Sequence, residues 1–428
     1  MRKSETVPAG DAAADALVSA KEAVRLLGVK RETLYAYASR GLVRSVPGER
    51  GRAKQYWKSD LERLRARHDA RSGHGAVAAG ALRWGEPVLQ TTISAIGPRG
   101  PHYAGHDAVE LADRGVGFER TAELLWTRQL PEDEVRWPRV DAGAPRPLLE
   151  ALIPRDTPVP TALMAMVAAI AARDLDRFGA RPEAELVRGR ALIRRLVVAV
   201  ALARDPRSVS RVLDAPSTAV ALAFALGIAP SAANRALLER ALVLWADHEL
   251  NASTFTARVA ASAGADLYAC VGAALATHSG TRHGGALARV EALVDSIGRP
   301  DRALAAIRER LQRGEAIEGF GHLLYPQGDP RAENLLAAVA KQAPRNPGVR
   351  TVLSLAEAMR PRGQHPSFDL ATVAAARALG VGRGHAVAIF AIGRSAGWIA
   401  HALEQRTQAF LVRPRARYVG PGAAPGPG

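Results

Sequence analysis

From about Gly75 onward the chain carries helical spacing of apolar residues almost throughout, interrupted by five short polar islands. Clear helical segments run over Phe118 to Leu125, Pro160 to Ala172, Ala184 to Ala203, Ala236 to Leu244 and Ala371 to Leu379. Breaks such as Gly227-Ile228-Ala229-Pro230 separate them. The apolar bulk is mainly Ala, Leu and Val, with aromatics at only 5%, which favours closely packed helices. Strand alternation is scarce, and only Leu89 to Ile96 offers a short candidate. No repeat of fixed period is evident. The pattern predicts an all-α fold, and 428 residues are too many for one ordinary core, so two or three domains are expected.

The first 75 residues behave differently. Sixteen Lys and Arg stand there against nine Asp and Glu, so +7 of the formal +16 sits in about a sixth of the chain. Such an excess fits an anionic partner. Ser19 reads as the N-cap of a helix over Lys21 to Leu27, which Gly28 closes. A second helix follows from Lys30-Arg31-Glu32-Thr33-Leu34-Tyr35, ending near Arg40-Gly41-Leu42. Arg44 to Tyr56, with Arg50, Arg52 and Lys54, suits a basic hairpin, and Ser59-Asp60-Leu61 starts a further helix. Over about 50 residues this resembles the winged helix-turn-helix of the MerR/excisionase type. The resemblance implies DNA binding, with Arg31, Thr33 and Tyr35 towards a major groove and Arg50, Arg52 and Lys54 on phosphates. A small helical module making protein contacts is the other reading of the same residues.

Common chemistries are quickly excluded. The chain has no GxxxxGK[ST] loop and no strand-GxGxxG-helix unit. His248-Glu249 lacks a second His at zincin spacing, since Ala252 stands there. Gly393-Arg394-Ser395-Ala396-Gly397 spells GxSxG, but the acid and downstream His of a hydrolase are missing in that order. The single cysteine, Cys270, excludes a disulfide framework and a Cys-rich zinc site. No bound metal is expected. The longest unbroken apolar stretches, Leu196 to Ala203 and Ala219 to Ala229, are too short to span a membrane, and no signal peptide is visible. A soluble, cytoplasmic protein is expected.

The five islands are Asp247 to Phe255, Ser279 to Ala286, Gly319-Phe320-Gly321-His322 with Asp329-Pro330-Arg331, His365 to Asp369, and Arg394 to His401 with Arg413-Pro414-Arg415 downstream. In type, order and spacing they resemble the citrate synthase family over residues 80 to 420, and Tyr103 to Pro131 is similar to its N-terminal signature. The resemblance implies a large helical domain over 81–283 and 385–420 and a small one over 284–384. Before these come the winged module over 1–70 and a linker over 71–80, and after them a disordered tail over 421–428.

The same resemblance implies an acyltransferase that condenses acetyl-CoA with oxaloacetate, with acetyl-CoA as co-substrate and no tightly bound cofactor. It makes Asp369 the base, His283 the donor to the thioester oxygen and His322 the group polarising the ketone. His283 is expected at a helix N-terminus, whose dipole would keep it neutral. Arg331, Arg394 and His248 match substrate contacts, and Arg413 matches an arginine supplied across a homodimer interface. Gly319, Phe320 and Gly321 would let backbone approach CoA. Taken singly, Asp369 reads as the N-cap of Leu370 to Leu379, and Trp398, His401 and Cys270 as packing residues. The chain departs from the family pattern at Leu287, where Asn is usual, and in the uncharged Leu323-Leu324-Tyr325-Pro326. CoA phosphates would then fall to arginines elsewhere, such as Arg282 or Arg362. A metabolite-sensing transcription regulator and a 2-methylcitrate synthase using propionyl-CoA are the alternatives.

Overall fold

The computed structural model describes residues 17–39, 42–47, 54–61, 64, 89–97, 99–179 and 181–414. Arg50, Arg52, Arg415, the linker 71–80 and the tail 421–428 lie outside them. The described residues divide into two compact units, one up to Gln90 together with Pro414 and one running from Thr91 to Arg413.

In the first unit β1 (Leu17–Ser19) leads directly into the helix Ala20–Leu27. Ser19 caps it as the sequence predicts: its hydroxyl accepts from Glu22 N at 3.3 Å, and the Glu22 carboxylate accepts Ser19 N at 3.0 Å. This reciprocal box fixes the helix start. The second helix is Arg31–Ser39. The wing is β2 (Ser45–Pro47) antiparallel to β3 (Lys54–Trp57), with β1 on the other edge of β3. Ala20, Ala23, Leu34, Val43, Tyr56 and Leu61 form a small core beneath it. Asp60, on the helical stretch after β3, takes Arg44 N at 2.8 Å and the Arg44 guanidinium at 2.9 and 3.1 Å, pinning wing to helix.

The second unit is helical except for a meander of β4 (Ser94–Gly97), β5 (Gly100–Tyr103) and β6 (His106–Asp107). The strand expected over Leu89 to Ile96 therefore starts only at Ser94. Thr92 directs its amide and hydroxyl to Glu404, both at 2.8 Å, leaving neither for a ladder. The observed helices outrun the predicted ones by a residue or more at most ends, as in Pro182–Arg204 and Ala232–Trp245.

Ala386–Arg406 is the hub. It packs on Ala252–Ser262, Ala232–Trp245, Leu267–His278, Phe118–Thr127 and Pro182–Arg204. Gly397 permits this, because a Cβ there would overlap the Asp247 carboxylate and come within 2.6 Å of the Ala246 carbonyl. Ala386–Arg406 is the one helix among the described residues long and apolar enough to cross a membrane, but 89% of that stretch is buried in the protein, as a core helix is. Gly393 to Gly397 lies inside it rather than on a strand-to-helix turn, so the GxSxG spelling has no elbow geometry.

Candidate active site

Two of the islands are joined by main chain. Phe320 pairs with Pro366 in an antiparallel bridge, Gly321 N donates to His365 O at 2.9 Å, and Ser367 N donates to Gly319 O at 2.8 Å. His322 and Asp369 thus leave two strands of backbone held in register. Gly319 sits at φ +88°, where a Cβ would meet Leu370 and Val290. Ser367, not Asp369, caps the helix Phe368–Leu379, accepting from Leu370 N. The capping role is taken, and the Asp369 carboxylate has no hydrogen bond or ion pair among the described residues. Burial pushes its pKa up to about 6, against the opposing pull of Arg331.

Arg331 opens the helix Pro330–Gln342, whose cap is Asp329. The Asp329 carboxylate binds the guanidinium through Nε at 3.0 Å and Nη2 at 2.7 Å. Nη1 is buried without a partner. The guanidinium lies 4.8 Å from the Phe368 ring and 5.6 Å from Tyr325. Arg394 comes from the hub helix and is only 2% exposed. Its Nε donates to Trp245 O at 2.8 Å, and it lies 5.1 Å from the Phe390 ring. Burial lowers its pKa to about 10, with Asp247 opposing, so it remains cationic at neutral pH. Two buried arginines, one with an unsatisfied N–H, make a site that an anion would complete.

Three histidines surround these cations. His248 and His322 meet edge to face at 5.4 Å between ring centroids. His322 accepts Leu324 N on Nδ1 at 3.2 Å. Burial, and then Arg331, lowers its pKa to about 4, so its one proton resides on Nε2 and that nitrogen is a donor. His248 is held well below the ordinary range by burial and by Arg331 and Arg394. His283 Nε2 lies 2.8 Å from Ser253 Oγ, and its pKa falls to about 4. The causes are burial and then Arg394; the following helix starts at Ala286, and His283 sits in the turn just before it.

A match to the citrate synthase C-terminal domain family spans residues 81–415. The chain belongs to the citrate synthase family. It is an enzyme of that family with an N-terminal addition, since residues 18–75 match the MerR HTH family of regulatory proteins. Citrate synthase 2 of Bacillus subtilis is 31% identical over 80% of this chain and 96% of its own. A 2-methylcitrate synthase of Mycobacterium tuberculosis is also 31% identical, over 78% and 89%. Among solved structures, the ternary complex of carboxymethyl coenzyme A and oxaloacetate with Thermoplasma acidophilum citrate synthase superposes with a TM-score of 0.69 at 26% identity, over 79% of this chain and 95% of that one.

Within the citrate synthase body, His248, His283, His322, Arg331, Arg394 and Asp369 are linked by contact or by mutual charge effects. Arg413 is not among them. It is exposed, beside Val412, whose amide donates to Ser262 Oγ at 3.0 Å at the end of Ala252–Ser262 opposite Ser253. Leu287 is a core residue of Ala286–Ile297, Arg282 and Arg362 are exposed, and Leu323 is 71% exposed. Tyr325, from the same uncharged loop, is instead buried among the histidines.

Sequence reasoning missed this tyrosine, and it missed Trp398 as more than packing: its Nε1 donates to Ser253 Oγ at 3.0 Å, behind His283. It also read His401 as packing, whereas His401 faces the buried Asp247 carboxylate at 3.4 Å. In the N-terminal unit Arg31, Tyr35 and Lys54 are exposed and Thr33 is half-buried. Among the described residues no group of three His, Cys, Asp or Glu is placed to hold a metal ion.

Proposed function

We propose that this citrate synthase family member condenses acetyl-CoA with oxaloacetate, giving citrate and free CoA, with Asp369 as base and His283 and His322 as neutral donors. The observation that carries the reading is the Asp369 carboxylate: half-buried, without a hydrogen bond or ion pair among the described residues, raised to about 6, and three residues beyond Pro366, which bridges to Phe320 in the loop bearing His322. Arg331 through Nη1, Arg394 and His248 take the two carboxylates of oxaloacetate. Binding closes the small domain, 284–384, over the large one. Asp369 removes a methyl proton from the thioester while His283 holds the developing enolate oxygen. For His283 to donate from Nδ1, the single Ser253 hydroxyl proton must go to His283 Nε2 rather than to Asn251 Oδ1 at 2.7 Å. The enolate carbon attacks the ketone, whose oxygen takes the His322 Nε2 proton, and water then cleaves citryl-CoA.

The active unit in this reading is a cytoplasmic homodimer, with Arg413 reaching the partner's site. Gly319, Phe320 and Gly321 flank CoA, and Arg282 or Arg362 meets its phosphates. A thiol-release assay with acetyl-CoA and oxaloacetate tests the reading against Asp369→Ala. Absence of turnover with both acetyl-CoA and propionyl-CoA would overturn it. The similarity to a 2-methylcitrate synthase makes propionyl-CoA the second substrate to try, and the ratio of kcat/KM values decides between them. The MerR match favours DNA as a further partner of the N-terminal unit. If turnover is absent while metabolites shift DNA affinity, the body is a sensor instead.

A further inference from the structure

We propose that Tyr325 is a positioning residue of this site, whose hydroxyl holds His248 in the tautomer with its proton on Nδ1. The inference rests on the substrate-binding reading of the site given above. Tyr325 is 4% exposed, and its hydroxyl lies 2.9 Å from His248 Nε2. The hydroxyl has one proton, and His248 Nε2 is its hydrogen-bond partner among the described residues. No other acceptor among the described residues lies within hydrogen-bonding distance of it. The His322 ring lies at 5.0 Å between centroids, and the Arg331 guanidinium, a cation that repels an O–H proton, lies 5.6 Å from the ring.

Were His248 protonated on Nε2, two buried donor hydrogens would compete for one contact and one would be left unmade. Tyr325 therefore donates and Nε2 accepts. His248 is neutral, buried beside Arg331 and Arg394, so its single proton must then lie on Nδ1. Nδ1 has no partner among the described residues. The histidine thus offers a dicarboxylate an N–H, adding to the two arginines. The other tautomer would offer a lone pair, which an anion repels. The uncharged loop 323–326 acquires a function in this way: it supplies the group that orients a substrate contact.

The test uses the full-length protein and the conservative variant Tyr325→Phe, which keeps the ring and removes the hydroxyl. KM for oxaloacetate should rise about tenfold, the worth of one buried hydrogen bond, while kcat stays within about twofold. In 15N-histidine spectra, wild-type His248, assigned from His248→Asn, should show Nδ1 protonated and Nε2 unprotonated, and Tyr325→Phe should give a mixture. Tyr325→Phe combined with His248→Asn should bind oxaloacetate no more weakly than His248→Asn alone. Protonated Nε2 in the wild type, or an unchanged KM with an unchanged spectrum in Tyr325→Phe, would overturn the inference. If the wild type proves catalytically silent, the spectra and the oxaloacetate dissociation constant still decide it, so failure of the synthase reading is distinguishable.

Discussion

Asp369 owes its place in the proposed mechanism to what its neighbours leave undone. Ser367 takes the capping duty, Asp329 takes Arg331, and Asp247 faces Arg394. Asp369 is left with burial as its dominant influence, which raises its pKa to about 6. His283 and His322, at about 4, are already neutral there. A base must be ionised, so kcat/KM should fall about tenfold per pH unit below about 6 and be level above it, measured as a pH profile of thiol release. An acid limb near 4 would point to a histidine instead. Asp369→Asn should lower turnover by about 10²- to 10⁴-fold with little change in oxaloacetate affinity.

Elements place these side chains by close backbone approach. Gly319 holds one strand of the bridge between the His322 and Asp369 loops, and a Cβ there would lie 3.2 Å from Leu370 Cβ and 3.3 Å from Val290. Gly319→Ala should cost about 1–3 kcal/mol by thermal unfolding, from the left-handed backbone alone. In the proposed mechanism it should also depress turnover, because the loops bearing His322 and Asp369 shift.

A second element-scale feature is the carboxylate pair Glu119 and Glu239. Glu239 accepts Phe118 N at 2.8 Å, and Glu119 accepts Thr218 N at 2.6 Å, each satisfying a helix start. Burial first, then Glu119, raises Glu239 to about 8. The folded state holds this proton more tightly than the unfolded chain. The Glu239 contribution to stability is therefore lost as pH rises from about 4.5 to about 8. Glu239→Gln keeps an acceptor for Phe118 and removes the Glu239 titration, leaving that of Glu119, which burial also raises. Its Tm should exceed that of the wild type at pH 9 and converge with it at pH 5; equal curves at both would refute the assignment.

At the scale of the whole molecule, Arg413 is the residue its own chain does not bring to the site. If a partner subunit supplies it, Asp369→Ala and Arg413→Ala proteins, each inactive alone, should regain roughly a quarter of wild-type turnover when mixed and allowed to exchange subunits. No recovery would argue for sites complete within one chain. The N-terminal unit has its own core and exposes Arg31, Tyr35 and Lys54. Lys54→Ala should weaken binding to every DNA sequence and lower the salt slope by about one, without altering turnover, as read by fluorescence anisotropy across salt concentrations.

The sequence by itself determined the class of fold, the helix-turn-helix and the residue types of the candidate site. Helical periodicity, the Ser19 cap and the five islands are local or ordered along the chain, and such features survive without a structure. Tertiary structure alone decided which residues pair. Ser367 and Asp369 are two positions apart and equally fit to cap, and only the backbone bridge at Phe320 fixes where the helix begins. Tyr325 carries no charge and belongs to no polar island, yet folding sets its hydroxyl against a histidine 77 positions away. The same holds for the histidine pKa values, which follow from burial and from the nearby Arg331 and Arg394. Burial and long-range contact are properties of the packed chain, and no local pattern of residues encodes them.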